Sequence, residues 1–245
     1  MTAAPLLEVR ALDAGYGGLH VLHGVTAAIR PGTITAVIGP NGAGKSTLLR
    51  ALSGLVGWRR GTIRFQGEDI AIAPPEKILA RGISFVPQGR CNFPLMTVRE
   101  NLEMGAYTRR DAGVAADLAA LEARFPVLQA KRDLLAGNMS GGEQQILEMA
   151  MALMLRPSLL LLDEPSLGLA PGAMGRVFAE VQRLAREGTT VVMVEQNARS
   201  ALEIADHALV LELGRLRLAG VGSEVLANPE VRRLYLGARR AEARP

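Results

Sequence analysis

Eight consecutive residues, Gly39-Pro40-Asn41-Gly42-Ala43-Gly44-Lys45-Ser46, restrict the fold of this chain more than any other feature. They follow an apolar run, Thr33 to Ile38, that reads as a strand. They precede Ser46 to Leu55, where apolar residues recur at helical spacing. A strand, a glycine-rich loop and a helix in that order place a ring of backbone N–H groups at a helix N-terminus, which is an anion site. The pattern G-x-x-x-x-G-K-[ST] in this context wraps phosphate. Its glycines admit the backbone to the phosphates, Lys45 reaches the β and γ groups, and the Ser46 hydroxyl is suited to Mg²⁺. At this chain's own Gly, Lys and Ser/Thr frequencies the motif arises by chance about 0.003 times, so an ordinary glycine-rich turn does not account for it.

The rest of the chain fits an α/β protein. Leu7 to Leu12 and Val21 to Ile29 read as strands, with a Pro31-Gly32 turn before the loop strand. Thr62 to Phe65 and Ile83 to Val86 read as further strands around a Gly67 turn. From Thr97 to about Met139 the texture becomes Ala-, Leu- and Glu-rich and predicts a mostly helical insertion. Within it, Thr97-Val98-Arg99-Glu100 forms a capping box for a helix through Tyr107, and Gly113 to Arg124 gives another before Pro126. Alternation then returns: a helix from about Gly141, a strand at Leu159 to Leu162, a helix from Gly172 to Arg186 stopped by Gly188, and a strand at Thr190 to Val194. This alternation predicts a parallel sheet with helices on its faces.

Composition sets the class. With 245 residues, 49% hydrophobic and 21% charged, the chain can bury a substantial core and is neither disordered nor fibrous. Its single cysteine, Cys91, excludes an internal disulfide, and Met1 to Arg10 lacks the charged-then-apolar run of a secretory leader; both predict a reducing cytoplasm. The most apolar stretch, Met149 to Leu155, is stopped by Arg156, far short of the roughly eighteen residues of a membrane span. The net charge of +4 rests almost wholly on arginine, since only Lys45, Lys77 and Lys131 are lysines. It bears on association with anionic partners and says nothing of mechanism.

Two further motifs carry chemistry. Leu159-Leu160-Leu161-Leu162-Asp163-Glu164 is an apolar strand ending in two carboxylates, at the strand end where open α/β sheets hold ligands. Read alone, it is also a core strand reaching solvent. Paired with the phosphate loop, Asp163 suits the Mg²⁺ shell and Glu164 is placed to take a proton from an attacking water. Met139-Ser140-Gly141-Gly142-Glu143-Gln144-Gln145 opens a long apolar helix, and locally Ser140 and Glu143 read as a capping box. Exposed Ser140 and glycine N–H groups at a helix N-terminus equally make an anion site.

The phosphate loop, then S-G-G-E-Q-Q about twenty residues before L-L-L-L-D-E-P, resembles the ATP-binding subunit of ABC transporters over nearly the whole chain. The resemblance implies a P-loop NTPase of ABC type: a mixed sheet core with an antiparallel β subdomain and a helical subdomain. It implies one domain over 1–238, with a core lobe of about 1–88 and 157–238, a helical lobe of about 89–156, and a basic tail at 239–245. ATP would be held by Gly39, Pro40, Asn41, Gly42, Ala43, Gly44, Lys45, Ser46 and Thr47. Tyr16, otherwise an ordinary turn tyrosine, would stack on adenine. Gln88, otherwise a loop residue, would touch Mg²⁺ or water alongside Ser46 and Asp163, and link the helical lobe to the core. Ser140, Gly141, Gly142 and Glu143 of one subunit would close over ATP on another.

Three positions depart from the common family pattern. Gln196 stands where a switch histidine is usual, and can still donate a hydrogen bond to the γ-phosphate but cannot become cationic. Ala170 stands where an Asp is usual, and Glu143 replaces the more common Gln. With E-P-S-L-G-L-A-P, V-E-Q-N, Val86-Pro87-Gln88-Gly89-Arg90 and the closing Val231 to Gly237, these resemble the ATPases of branched-chain (hydrophobic) amino acid importers; urea and amide importers share the pattern. The implied partners are two transmembrane permease subunits, a second ATPase subunit (homologous or a second copy), and indirectly an extracytoplasmic solute-binding protein, with no nucleic acid. The implied location is peripheral, on the cytoplasmic face of the inner membrane. His20, His23 and His207 match no catalytic position. A lipopolysaccharide-type exporter ATPase, a soluble non-transport ABC ATPase and a small P-loop kinase are the alternatives. The first retains the switch histidine and the loop Asp, the second usually doubles the module or adds a coiled coil, and the third has no use for the Ser140 segment.

Overall fold

The computed structural model describes residues 4–235, so the tail 239–245 and the end of the Val231 to Gly237 motif fall outside the described residues. In chain order the elements are β1 (Leu7–Tyr16), β2 (Leu19–Ile29), β3 (Ile34–Ile38), α1 (Lys45–Leu52), β4 (Trp58–Phe65), β5 (Glu68–Asp69), α2 (Pro75–Ala80) and β6 (Ile83–Val86). Next come α3 (Val98–Gly105), α4 (Val114–Arg124), α5 (Pro126–Ala130) and α6 (Gly141–Leu153). The remainder is β7 (Leu159–Asp163), α7 (Pro171–Arg186), β8 (Thr190–Val194), α8 (Ala198–Ile204), β9 (His207–Glu212), β10 (Arg215–Val221), α9 (Gly222–Ala227) and α10 (Pro229–Tyr235).

One sheet, in the order β2-β1-β4-β5, is antiparallel. The other, β10-β9-β3-β8-β7-β6, is parallel from β9 to β6 and carries β10 as an antiparallel edge. Every residue of β3, β7 and β8 is buried, as parallel strands covered on both faces require. The four leucines of β7 divide by the twofold alternation of a strand. Leu160 and Leu162 pack with Val98, Leu147 and Val181 from α3, α6 and α7. Leu159 and Leu161 pack with Leu48 and Leu49 of α1 and with Leu7, Val9 and Ile63 of the antiparallel sheet. The result is the mixed α/β architecture expected from the sequence, with the parallel strands delivering their carboxyl ends to one rim.

Local chemistry sets several boundaries. The Thr97 box is formed as expected: Glu100 N–H donates to Thr97 Oγ1 at 3.2 Å and Thr97 N–H to Glu100 Oε2 at 2.7 Å. Helix α1 stops at Leu52 rather than Leu55, because Ser53 Oγ donates to Leu49 O at 3.0 Å and Gly54 turns the backbone to φ +78°. Strand β4 begins at Trp58, ahead of the expected Thr62, since its early residues pair with β1 as far as Gly15↔Trp58. Tyr16 ends β1 rather than lying in a turn, paired with Leu19 across the hairpin.

Half-buried Arg59 joins three of these pieces. Its guanidinium donates to Ala51 O at the end of α1 and to Ala71 O, Ile70 O and Ala73 O in the link from β5 to α2. Among the described residues it has no carboxylate partner. Arg59→Met keeps the apolar stem but strips donors from four carbonyls, and should lower unfolding stability by about 2 kcal/mol. An unchanged urea midpoint would show that water replaces those bonds at no cost.

Candidate active site

The loop between β3 and α1 depends on its glycines for space. A Cβ on Gly39 would lie 2.1 Å from Leu211 O, so only glycine lets the loop leave the sheet beside β9. Gly44 has φ +96° and a Cβ there would meet Leu22 at 2.8 Å. Gly214 N–H donates to Ala43 O at 3.0 Å, bracing the loop from the β9–β10 turn. Lys45 opens α1 and is 5% exposed. Its Nζ donates to Gly39 O at 3.0 Å and Pro40 O at 3.1 Å. Burial lowers the lysine pKa, opposed by the negative charges of Glu164 and Asp163.

The carboxylates arrive from β7. Ser46 Oγ donates to Asp163 Oδ1 at 2.9 Å, while Asp163 Oδ2 is buried and has no hydrogen-bond partner. Burial raises the Asp163 pKa, and the Ser46 hydroxyl, Arg50 and Lys45 oppose it. An orphaned, buried carboxylate oxygen beside a hydroxyl is a hard-oxygen donor pair that fits a small divalent cation. Glu164, one residue on, lies at φ +51°, a left-handed conformation rare for Glu. Its N–H is anchored to Val194 O at 2.9 Å. This turn swings the Glu164 side chain to Gln88, whose Nε2 donates to Glu164 Oε2 at 3.0 Å. Partial burial raises the Glu164 pKa, with Lys45 pulling it down and Asp163 pushing it up.

One open cavity of about 680 Å³ gathers Tyr16, Leu19, Val21, the loop from Asn41 to Thr47, Gln88, Glu164, Leu167 and Gln196. Its floor is the start of α1, with one wall from the β1–β2 hairpin and the other from the ends of β6, β7 and β8. The arrangement can seat a polyphosphate on the loop, an aromatic face beside it and a carboxylate opposite the ammonium. Ser140, Gly141, Gly142 and Glu143 do not line this cavity. Ser140 and Gly141 are exposed at the start of α6, Ser140 N–H donates to Glu143 Oε2 at 3.0 Å, and Lys131 Nζ donates to both Glu143 oxygens at 2.8 Å. That hydrogen-bonded pairing lowers the Glu143 pKa.

Sequence reasoning missed Glu195. It is 1% exposed and accepts Ser166 N–H at 2.9 Å and Ser166 Oγ at 2.8 Å. It thereby fixes the loop after Glu164 to the residue before Gln196. The available signal was an acid directly following the apolar run Val191 to Val194, where burial demands a hydrogen-bonding partner. His20 and His23 make a tilted contact with ring centroids 4.1 Å apart, and His20 Nε2 lies 3.0 Å from Asp13 Oδ1; neither lines the cavity.

Comparison with known proteins places this geometry among relatives. Residues 22–167 match the ABC transporter family model. The chain is 46% identical to the high-affinity branched-chain amino acid transport ATP-binding protein BraG of Pseudomonas aeruginosa, covering 95% of this chain and 100% of that one. It is 39% identical to the probable branched-chain amino acid transport ATP-binding protein LivF of Archaeoglobus fulgidus, over 95% and 99%. Among solved structures it is similar to an ATP-binding cassette of an ABC transporter in its ADP conformation, with a TM-score of 0.85 at 28% identity over 96% and 100%.

Proposed function

Because this chain belongs to the ABC transporter family as an ATP-binding subunit, we propose that it hydrolyses Mg-ATP to power import of branched-chain or other hydrophobic amino acids through membrane permeases. The observation carrying the catalytic part is the opposition of Glu164, tied to Gln88, and Lys45 across one cavity. The loop N–H groups and Lys45 hold phosphoryl charge that grows as the γ-phosphoryl leaves. Glu164, its carboxylate aimed by Gln88, accepts the proton of the attacking water. Gln196 orients by donating a hydrogen bond to the γ-phosphate, and Tyr16 stacks on the base. Ser46, Asp163 and Gln88 would hold Mg²⁺, which when bound supplies charge neutralisation at the phosphates.

Exposed Ser140 and Gly141, outside their own chain's cavity, support a site completed by a second subunit, either another copy or a homologue. No helix of the described residues is long and apolar enough to cross a membrane. From the transport reading we assign the chain a peripheral position on the cytoplasmic face, held by two permeases that in turn receive solute from an extracytoplasmic binding protein. The lobes proposed for this single domain, about 1–88 with 157–238 and about 89–156, meet at Gln88. The cargo class follows the names of the relatives and the E-P-S-L-G-L-A-P and V-E-Q-N segments, which also separate this chain from the lipopolysaccharide-type pattern.

Pull-down from detergent-solubilised membranes, with mass spectrometry of the co-purifying chains, tests the reading. Two multi-span permeases and an ATPase partner are expected; ribosomes or DNA-repair proteins instead would overturn transport and leave the ATP site intact. Within the site, Gln196→Ala should slow turnover by about tenfold, well short of a Glu164 substitution, because it removes an orienting bond and not the base. Steady-state ATPase rates decide the ranking, and a larger loss at Gln196 than at Glu164 would reverse it.

A further inference from the structure

Helix α6 buries an acid that no step of hydrolysis uses. Glu148 is 2% exposed, and its Oε1 accepts Cys91 N–H at 3.0 Å, Asn92 N–H at 3.3 Å and Asn92 Nδ2 at 2.6 Å. Carboxylates are rarely this buried unless hydrogen bonds satisfy them. All three donors lie just after Gln88, in the loop that leads from the cavity to α3. The far end of that loop is held by fully buried Asn101, which accepts Phe93 N–H at 2.7 Å and donates to Phe93 O at 3.0 Å and Thr97 O at 2.9 Å. Beyond the Glu148 anchor, the side chains of Phe93 and Leu95 are left 43% and 87% exposed. Glu148 and the Ser140 segment share one helix, two turns apart, and an α-helix transmits displacement along its length as a rigid rod.

We infer that Glu148 is a positioning residue that binds the loop after Gln88 to α6, so that closure at the Ser140 end moves the exposed Phe93 and Leu95 surface. The inference rests on the transport reading for the permease that surface meets, and on the hydrogen bonds alone for the clamp. Asn101 holds the loop's exit against α3, so α6 and α3 move the loop together. Glu148 does not line the nucleotide cavity, so its removal frees the loop entrance without deleting a cavity residue.

Cys91, the chain's one cysteine, reports on the clamp directly. Burial, with the nearby Glu148 carboxylate, pushes its thiol up to about 12, which keeps it unreactive toward thiol reagents while the clamp holds. The full chain with Glu148→Ala, Glu148→Gln or Asn92→Ala is treated with a small disulfide reagent, with and without Mg-ATP. Turnover is measured alone and with the permeases. Glu148→Ala should label about tenfold faster than wild type, lose the rate change that Mg-ATP produces, and bind nucleotide within about twofold of wild type. Its permease-stimulated turnover should fall in kcat with KM unchanged. Glu148→Gln offers an amide oxygen to the same donors and should keep the Mg-ATP response and the permease-stimulated kcat near wild type, its labelling rising only by what loss of the carboxylate charge gives back to the thiol. Asn92→Ala, which leaves α6 intact, should shift labelling in the same direction by less. Wild-type labelling and Mg-ATP response in both Glu148→Ala and Asn92→Ala would overturn the inference, as would equal damage by Glu148→Gln and Glu148→Ala. A wild-type chain that no permease stimulates would instead contradict the transport reading, and the Cys91 contrast would still decide the clamp.

Discussion

Glu164→Gln should bind Mg-ATP with near wild-type affinity and hydrolyse it about a thousandfold more slowly, the size expected when a positioned general base is lost. The substitution keeps the shape of the side chain and an oxygen able to accept from Gln88 Nε2, which in the native chain sits 3.0 Å away. It leaves Lys45 and the loop untouched, so ground-state binding persists while proton acceptance disappears. On the two-chain site proposed above, uncleaved nucleotide would hold two subunits together, and a dimer should accumulate on size-exclusion chromatography with Mg-ATP. Single-turnover rates measure the chemical step separately from product release. Undiminished turnover would remove Glu164 from the base role and leave its left-handed backbone, φ +51°, without a catalytic reason.

Ser140→Arg should abolish turnover by about a hundredfold or more without weakening nucleotide binding to the isolated chain. Ser140 is exposed and outside its own cavity, so a bulky cation there disturbs nothing within the monomer that holds phosphate. Its N–H can still meet Glu143 Oε2, because that bond uses the backbone. On the two-chain site proposed above, what the substitution would block is entry of this helix start into the cavity of a second chain. Fluorescent-nucleotide titration beside steady-state turnover separates the two effects. Equal turnover in the variant would favour a one-chain phosphotransferase and deny the Ser140 segment any part in the reaction.

The legible parts of the chain are those whose chemistry is local. The phosphate loop, the Thr97 box and the β7 leucines each declare their state within a few residues, and the structure has each where the pattern puts it. Glu164 is legible from the carboxylate pair at the strand end and Gln88 and Gln196 from resemblance, while their convergence on one cavity depends on the parallel order of β6, β7 and β8. After Val194 the sequence predicts no strand or helix, although Gln196 and the closing Val231 to Gly237 segment stand out. Strand β9 rests on the short apolar run Ala208 to Leu211, and β10 is an edge strand whose residues alternate regularly between exposed and half-buried, each signal too short to set apart from a loop without its partner strand. Short α2 begins on Pro75 between loops and carries one buried residue, too few for a helical period to register. Arg59 and Glu148 were invisible for a shared reason: each is a charged group set against partners outside its own element, and no local pattern marks such a partner, whereas Glu195 carries a local mark, an acid after an apolar run, that does not name Ser166 as its partner.

ATP-driven uptake in proteoliposomes tests the whole account most directly. The chain would be reconstituted with the permeases and ATPase partner it co-purifies with and with their solute-binding protein, and supplied with labelled leucine outside and Mg-ATP within. The account predicts leucine accumulation that requires ATP and is lost with Glu164→Gln. Hydrolysis that proceeds with no uptake of leucine, isoleucine or valine would contradict it.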